Sequence, residues 1–397
     1  MKKLFFILLL SILMCGCTTK SNLKEISFWT LQMGDFSSYI NEIIEKYEAA
    51  HPDIKIKWVD VPFSEGEKRT LAAVMTDCPP DLVNLNPDFS AILAQKGTLT
   101  EIPLDKLSEF NSEVLNAMTY NGKIYSIPWY ATSAITIYNK DMFSKTNLNK
   151  LPKTYNELAD ISKQVKVSTG SYSFLPTITE NDTMVKILNK FNISKIENYN
   201  SPESVAVFEM FKSLYTAGLI PPETLTMTHR EALEQYMAGK IVFYQGGANF
   251  LTMIKENAPK IYAQTDVAEQ IKGSAGQNDF SVMNFVIPLR AKYKAEALDF
   301  CLYLTNEENQ LKLAKMTNII STNTNALNNV FYNDYSDLTS KARSISAKQI
   351  NQINPQFKQS KNQKEINLAV NTAVQSVLLN KDFTENILNK LVKSLKD

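Results

Sequence analysis

The chain has 397 residues, with 42 basic and 41 acidic side chains and only two histidines, His51 and His229. This near-neutral balance argues against nucleic acid as a partner, and two histidines exclude metal sites built from several imidazoles. We predict that both histidines lie at the surface. At about 100 to 200 residues per domain, the length predicts two lobes that each bury a core.

The N-terminus has the pattern of an export signal. Two lysines precede an apolar run over residues 4–13, which is too short to span a bilayer as a helix. A glycine and Cys17 follow, and this arrangement resembles the bacterial lipoprotein signal. It implies a signal peptide over residues 1–16, a lipid on Cys17 and a tether over residues 17–24. Lipidation at Cys15 and an ordinary signal peptide are the alternatives.

Cys78 and Cys301 are the two cysteines beyond the signal. Two cysteines so far apart in the chain do not make a zinc knuckle. An exported protein can join such a pair in a disulfide if the two Cα atoms approach within about 4.4–6.8 Å. Two buried free thiols are the other interpretation, and we favour it.

The first part of the mature chain alternates strand and helix patterns. Residues 26–30 and 54–61 have strand patterns, and residues 39–49 form an amphipathic helix that ends at a proline turn. A helix over residues 68–76 and an apolar strand over residues 81–86 follow. This order of elements predicts a mainly parallel sheet that is covered by helices.

The rest of the chain continues the mixed pattern. An extended stretch over residues 124–138 precedes helices whose starts carry capping signals, such as Thr154 with Glu157. A strand over residues 241–244 leads into a Gly-Gly pair. Two amphipathic helices lie within residues 368–395 and end the pattern.

Four segments in a fixed order carry a family resemblance. They are residues 47–56 (YEAAHPDIKI), residues 122–158 (with GKIYSIPW, YNKDMF and PKTYNEL), residues 238–247 (AGKI before Gly-Gly) and residues 287–305 (ending in LYLT). Together they resemble the extracellular solute-binding proteins of ABC importers, in the carbohydrate-binding family that includes maltose-binding protein. The order and spacing agree over nearly the whole mature chain.

The resemblance implies a type II periplasmic-binding-protein fold. Such a fold has two α/β lobes, each a mainly parallel sheet flanked by helices, and a hinged ligand cleft between them. The strands that cross between the lobes are implied near residues 130–134, 279–285 and 320–326. The implied first lobe comprises residues 25–132 with 280–324, and the implied second lobe comprises residues 133–279 with 325–397.

The resemblance also implies a function. The chain would be a monomeric, non-catalytic receptor without a cofactor, which captures a sugar or oligosaccharide and delivers it to the permease of an ABC importer. The lipid on Cys17 would hold it to the membrane on the extracytoplasmic side, in the periplasm or at the cell surface. The alternatives are a secreted carbohydrate-active hydrolase and an anchored protein that recruits macromolecules. The sequence marks neither an acid pair nor a GxSxG elbow.

Sugar recognition needs flat aromatic faces and polar side chains that donate or accept hydrogen bonds. The predicted aromatic platforms are Trp29, Trp129 and Tyr130, at the end of the first strand and at the first crossing. The predicted polar contacts follow strands or open helices, and they are Gln32, Asn86, Asp88, Gly246, Gly247 and Asn249. Each can instead be a core aromatic, a turn residue or a cap. These loops carry no basic residue, which argues against a phosphate or carboxylate on the ligand.

Overall fold

The structure, a computed structural model, describes residues 23–276, 278–350 and 362–396. The signal peptide, Cys17 and most of the tether lie outside these residues. The strands are β1 (Lys24–Leu31), β2 (Ile54–Val61), β3 (Leu82–Leu85), β4 (Thr119–Tyr120), β5 (Lys123–Ile124), β6 (Ser126–Asn139), β7 (Phe243–Gly247), β8 (Thr265–Ala268), β9 (Phe280–Val286) and β10 (Ile320–Ser321).

The helices before the middle of the chain are α1 (Ser37–Ala50), α2 (Phe63–Val74), α3 (Pro87–Gln95), α4 (Ser112–Ala117), α5 (Lys140–Ser144), α6 (Tyr155–Thr169), α7 (Thr183–Lys190) and α8 (Pro202–Thr216). The later helices are α9 (His229–Met237), α10 (Phe250–Asn257), α11 (Pro259–Ala263), α12 (Lys294–Leu304), α13 (Glu307–Thr317), α14 (Thr324–Leu327), α15 (Leu338–Gln349), α16 (Gln363–Leu378) and α17 (Thr384–Lys396).

The first three strands form the parallel part of the main sheet, because a helix connects each to the next. β1 lies between β2 and β3, and Phe28 stands opposite Trp58 on one side and Leu82 on the other. β9 then pairs with β3, β6 with β9, and β10 with β6, all antiparallel. The resulting order is β2-β1-β3-β9-β6-β10.

β6 is a strand that takes part in two sheets. Residues 126–133 pair with β9, whereas residues 134–139 pair with β7 on one side and β8 on the other. Both of these later pairs are antiparallel. The α/β class that we predicted is therefore found, but among the strands of the described residues parallel pairing is confined to β1, β2 and β3, beside isolated parallel bridges between Thr154 and Lys272 and between Tyr172 and Ile241. The reason is that β6 arrives from the first sheet and lies between β7 and β8, antiparallel to both, although α10 and α11 connect β7 to β8.

Two large cores give the molecule its two lobes. In the first core the ring of Phe28 packs against two other rings. Its centroid lies 5.8 Å from that of Phe285 and 5.3 Å from that of Phe300. The second core joins Phe208 on α8 to Leu388 on α17, with α6, α7 and α16 around them. Fully burying each such phenylalanine contributes about 1.5–3 kcal/mol, so both lobes are stabilised from within.

Side-chain caps fix the starts of α3, α6 and α9. Asn86 accepts a hydrogen bond from the backbone of Phe89 at 2.8 Å and so fixes the start of α3. Thr228 and Glu231 form a reciprocal capping box at the start of α9, as Thr154 and Glu157 do at α6. Caps of this kind contribute about 0.5–2 kcal/mol each.

The two mature cysteines do not form a disulfide. Cys301 is buried in the first core, and burial raises the pKa of its thiol. Cys78 is exposed in the turn before β3, and both thiols are free. Our expectation of two buried thiols is therefore wrong for Cys78. Within the described ranges no helix is both long and apolar enough to cross a membrane.

Candidate functional site

A cleft of about 670 Å³ lies between the two lobes. This volume falls in the range of small-molecule sites, about 300–1,000 Å³. The lining comes from α3 along its length, the β4–β5 hairpin, the middle of β6, α7, the starts of α9 and α10, and the residues around the start of β9. A molecule in the cleft therefore touches both lobes at once.

The first-lobe wall comprises Asn86, Asp88, Ser90, Tyr120 and Tyr125. Its polar part is the start of α3, which follows directly after β3. The amide of Asn86 donates to Glu67 Oε1 at 3.4 Å while its oxygen caps the helix. Ser90 Oγ donates to Asn284 Oδ1 at 2.7 Å. These bonds hold the polar side chains of the wall in fixed positions.

The aromatic part of the first-lobe wall is carried by the β4–β5 hairpin. Its two turn residues, Asn121 and Gly122, have φ angles of 50° and 76°, as tight two-residue hairpins require. Tyr120 and Tyr125 are half-buried and pack against the apolar cluster beside β1 and β3. Both tyrosines thus pack on the first lobe and also line the cleft.

The second-lobe wall comprises Asp182, Lys186, Lys190, His229, Gly246, Gly247, Asn249 and Phe250. A Cβ on Gly246 would lie 2.4 Å from the ring of Tyr244, and a Cβ on Gly247 would lie 2.3 Å from Asn249 Oδ1. The glycine pair therefore lets side chains pack directly on the backbone at the end of β7. Asn249 is exposed just before α10.

Two lysines on α7 are among the cleft residues that sequence reasoning missed. Lys186 Nζ lies 3.0 Å from Asp182 Oδ2, and Lys190 Nζ lies 2.7 Å from Asp279 Oδ2. Burial lowers the pKa of both lysines, but the neighbouring carboxylates outweigh it, and each pKa is raised. The predicted loops carry no basic residue, but α7 brings these two lysines to the cleft lining. The signal in the sequence was their spacing of four residues, which puts both on one face of a short helix.

His229 lines the cleft, contrary to our expectation of a surface position. Its Nε2 lies 2.7 Å from the hydroxyl of Tyr244, and its backbone N–H donates to the carboxylate of Glu180. Burial, and then the charge of Lys186, lowers the pKa of the ring, so the neutral form is favoured. In the described part of the chain, no cluster of three or more His, Cys, Asp or Glu side chains suits a metal ion.

Trp129 is not a cleft residue, and our prediction of it as a platform is wrong. Its side chain is 0% exposed inside the first core, 4.6 Å from the ring of Phe285 and 5.1 Å from that of Tyr130. The pairing of β6 with β9 shifts register between Pro128 and Tyr130. This irregularity falls at Trp129, where a regular alternation cannot be used to assign the side chain to a face.

Three other predicted residues also lie outside the cleft lining. Tyr130 packs on the first core. Trp29 is half-buried beside the cluster of β1 and β3, with the guanidinium of Arg69 5.9 Å from its ring. Gln32 is exposed with a φ of 52° in the loop after β1. The structure instead brings together Asn86, Asp88, Gly246, Gly247 and Asn249, and the aromatic faces come from Tyr120, Tyr125, Phe250 and Phe280.

Two α/β lobes with a polar and aromatic cleft between them define a class of proteins that bind small molecules by closing around them. The chain belongs to the bacterial extracellular solute-binding protein family, whose model matches residues 42–340. The members of this family are binding proteins and are not classed as enzymes.

Individual relatives cover most of the chain. A galactooligosaccharide-binding protein of Bacillus subtilis is 22% identical over 322 residues, which is 76% of this chain and 74% of that protein. A Synechococcus periplasmic-binding protein, provisionally assigned to oligosaccharides, has 26% identity and a TM-score of 0.84 over 93% of this chain and 97% of its own. An ABC substrate-binding protein from Listeria monocytogenes, in complex with cycloalternan, has 18% identity and a TM-score of 0.74 over 94% and 97% of the two chains.

Proposed function

We propose that this protein captures a sugar or oligosaccharide in the cleft between its lobes and delivers it to the membrane permease of an ABC importer. The observation that carries the proposal is the lining of the cleft, in which tyrosine and phenylalanine rings stand beside amides and hydroxyls. A saccharide presents apolar C–H faces and a ring of hydroxyls, and this combination of groups binds both.

The relatives support a saccharide ligand. The Bacillus subtilis protein binds galactooligosaccharides, and the Listeria protein holds cycloalternan and is an ABC substrate-binding protein. Within the cleft, Asn86, Asp88 and Asn249 are the polar contacts of the proposed site, and Tyr120 and Tyr125 are its aromatic faces. Gly246 and Gly247 are proposed to meet the ligand through their backbone, because both line the cleft while Tyr244 and Asn249 fill the space at their Cβ positions.

The proposed motion is a hinge closure. The moving bodies are a first lobe of residues 25–132 with 280–324 and a second lobe of residues 133–279 with 325–397. The partner exchange of β6 after Ser133 supports this division, because the strand leaves β9 there and enters the pairing with β7 and β8. Closure brings both walls onto the ligand, as in other hinged binding proteins.

The proposed location is the extracytoplasmic side of the membrane, with a monomeric receptor tethered by a lipid on Cys17. A lipoprotein anchor with more than one acyl chain gives stable attachment, which a single chain does not. Cys17→Ser should release the protein from the membrane fraction or block its processing. The affinity of the purified variant for a saccharide should equal that of the wild type.

The decisive experiment is a thermal-shift and calorimetry panel on the purified mature protein. The panel contains maltotetraose, lactose, a galactooligosaccharide and mannitol, with glycerol 3-phosphate and spermidine as non-saccharide solutes. A bound saccharide at 100 times its Kd stabilises the folded state by about 2.7 kcal/mol. A shift with none of the saccharides contradicts the sugar assignment. Chromatography of the incubated saccharide tests the alternative hydrolase function, because products appear only if the bound saccharide is cleaved.

A further inference from the structure

Asp279 lies where the chain returns from the second lobe to the first. It directly precedes β9 and lines the cleft. The two oxygens of its carboxylate have different surroundings. Oδ2 lies 2.7 Å from Lys190 Nζ, whereas Oδ1 has no hydrogen-bond partner among the described residues. The side chain is 38% exposed. Oδ2 is thus held by the protein, while the carboxylate as a whole is partly exposed and borders the cleft.

Lys190 borders the cleft, but its ammonium group is fully used inside the protein. Its side chain is 5% exposed. An ammonium group has three N–H donors, and here three acceptors surround it: Asp279 Oδ2, Gln270 Oε1 at 3.1 Å and the carbonyl oxygen of Ile271 at 3.0 Å. Lys190 therefore orients the carboxylate of Asp279 and has no donor left for a ligand.

The backbone of Asp279 is held as firmly as its side chain. Its N–H donates to Gln270 Oε1 at 2.7 Å, and its carbonyl oxygen accepts from Ser133 Oγ at 3.2 Å and from Gln270 Nε2 at 3.3 Å. Gln349 Nε2 in turn donates to Ser133 Oγ at 2.9 Å. Because Ser133 is the last residue of β6 that pairs with β9, the carboxylate is fixed at the crossing between the lobes.

The charges around the cleft disfavour an anionic ligand. Three carboxylates, those of Asp88, Asp182 and Asp279, face two lysines, and each lysine is already in an ion pair. A carboxylate only accepts hydrogen bonds, so the group that meets Asp279 Oδ1 must be a donor. A hydroxyl fits this requirement, whereas a second carboxylate or a phosphate is repelled.

We propose that Asp279 binds ligand hydroxyls through Oδ1, that Lys190 is the positioning residue for this carboxylate, and that the arrangement selects neutral saccharides over those with a carboxylate or phosphate. This inference rests on the proposed saccharide function. It also extends the sequence argument beyond the loops, since the lysines at the cleft lie on α7 and each forms an ion pair with a carboxylate.

The test measures affinity and stability separately in a double-mutant cycle. The probes are maltotetraose, lactose and a galactooligosaccharide, each beside its counterpart oxidised to a uronic acid at a primary hydroxyl. Asp279→Asn should weaken binding of the neutral probe about 10- to 100-fold, the range for a hydrogen bond to a charged group. Lys190→Met should weaken it similarly, and the double variant should lose no more than either single one. The wild type should bind each uronic acid more weakly than its neutral counterpart.

Lys341→Met is the matched control. Lys341 forms an ion pair of 2.6 Å with Asp266 in the second lobe, away from the cleft lining. This variant should lower the melting temperature without changing affinity. If Lys190→Met does not fold, the affinity of Asp279→Asn alone tests the inference. This variant should fold, because the asparagine oxygen still accepts a hydrogen bond from Lys190.

Three results overturn the inference. Wild-type affinity in a folded Asp279→Asn variant removes Asp279 from ligand binding, and tighter binding of a uronic acid than of its neutral counterpart removes the selection. In both cases the saccharide function stands. Failure of the wild type to bind any saccharide overturns the function and this inference together.

Discussion

The two walls of the cleft are assembled in different ways. The first-lobe wall takes Asn86 and Asp88 from a helix that starts directly after β3, and its rings from a tight hairpin, so short stretches of chain position each group. In the second-lobe wall Lys190 is held by partners about 80 residues further along the chain, such as Gln270. In either wall, groups at strand and helix ends, such as Asn86 and Gly246, are readable from the sequence, whereas an ion pair between residues far apart in the chain is not.

The largest expected effect lies behind the first-lobe wall. Trp129 is fully buried, so Trp129→Ala should lower the free energy of unfolding by about 3–5 kcal/mol. Urea denaturation measures this, with Phe208→Ala in the second core as the matched control. Saccharide affinity in the folded fraction should remain that of the wild type. A Trp129→Ala variant of normal stability that no longer binds saccharide would show that Trp129 contacts the ligand and is not a core residue.

Glycines in the two walls should respond differently to substitution. Gly246→Ala places a Cβ 2.4 Å from the ring of Tyr244 and should cost about 1–3 kcal/mol through overpacking. Gly122→Ala meets no neighbour but has a φ of 76°, so it should cost about 1–2 kcal/mol through backbone strain. Thermal denaturation compares them. Asparagine, which tolerates this φ, should restore stability at position 122 and not at position 246; equal rescue at both would contradict the distinction.

The aromatic contribution of the first-lobe wall should appear in affinity. Tyr125→Ala removes one proposed stacking face and should weaken saccharide binding by about 1 kcal/mol, roughly fivefold. Tyr125→Phe keeps the face and serves as the control. Titration calorimetry measures both variants. Equal losses in the two would assign the effect to the hydroxyl of Tyr125 and not to its ring.

The second-lobe wall should make stability depend on pH through His229. Burial, and then Lys186, lowers the pKa of His229 below its usual 6.5. The unfolded chain therefore binds more protons near that pH, and the contribution of His229 to stability, present above pH 6.5, is lost as pH falls through the lower folded pKa. Urea unfolding between about pH 7 and about pH 5 should show that the free energy of unfolding depends less on pH in His229→Gln than in the wild type. An unchanged slope in that variant would assign the dependence to other groups.

The smallest expected effect is at an ion pair that joins the two lobes. Lys364 Nζ on α16 lies 3.3 Å from Glu67 Oε2 on α2, and the Lys364 side chain is 82% exposed. Exposed pairs contribute little, so Glu67→Gln should weaken saccharide binding by at most about fivefold. The effect should vanish at high salt and in a Lys364→Gln background. A salt-independent loss would point to the contact of Glu67 with Asn86 instead.

The sequence predicted the fold class and the polar and glycine residues at strand and helix ends in both walls, whereas it did not predict the aromatic residues of the cleft. Asn86 and Asp88 follow an apolar strand in the sequence, and Gly246 with Gly247 end another, so their positions at the cleft follow from local order. The prediction of Trp129 as a cleft residue was wrong because a register shift in β6 decides which way its side chain points. Lys190 and Asp279 were missed because their pairing depends on how α7 packs against the start of β9, 89 residues away in the chain, and no local pattern reports such a contact.

The position of β9 also affects the timing of folding. The side chain of Asn84 on β3 donates to the backbone oxygen of Asn284 on β9, 200 residues later. A chain that emerges from its N-terminus, whether from a ribosome or across a membrane, therefore holds β1, β2 and β3 without their neighbour until the whole of the α6–α10 region has passed. Long-range pairings of this kind slow folding and leave strand edges open to aggregation. The N-terminal strands are the first to be made, yet their sheet is among the last parts able to close.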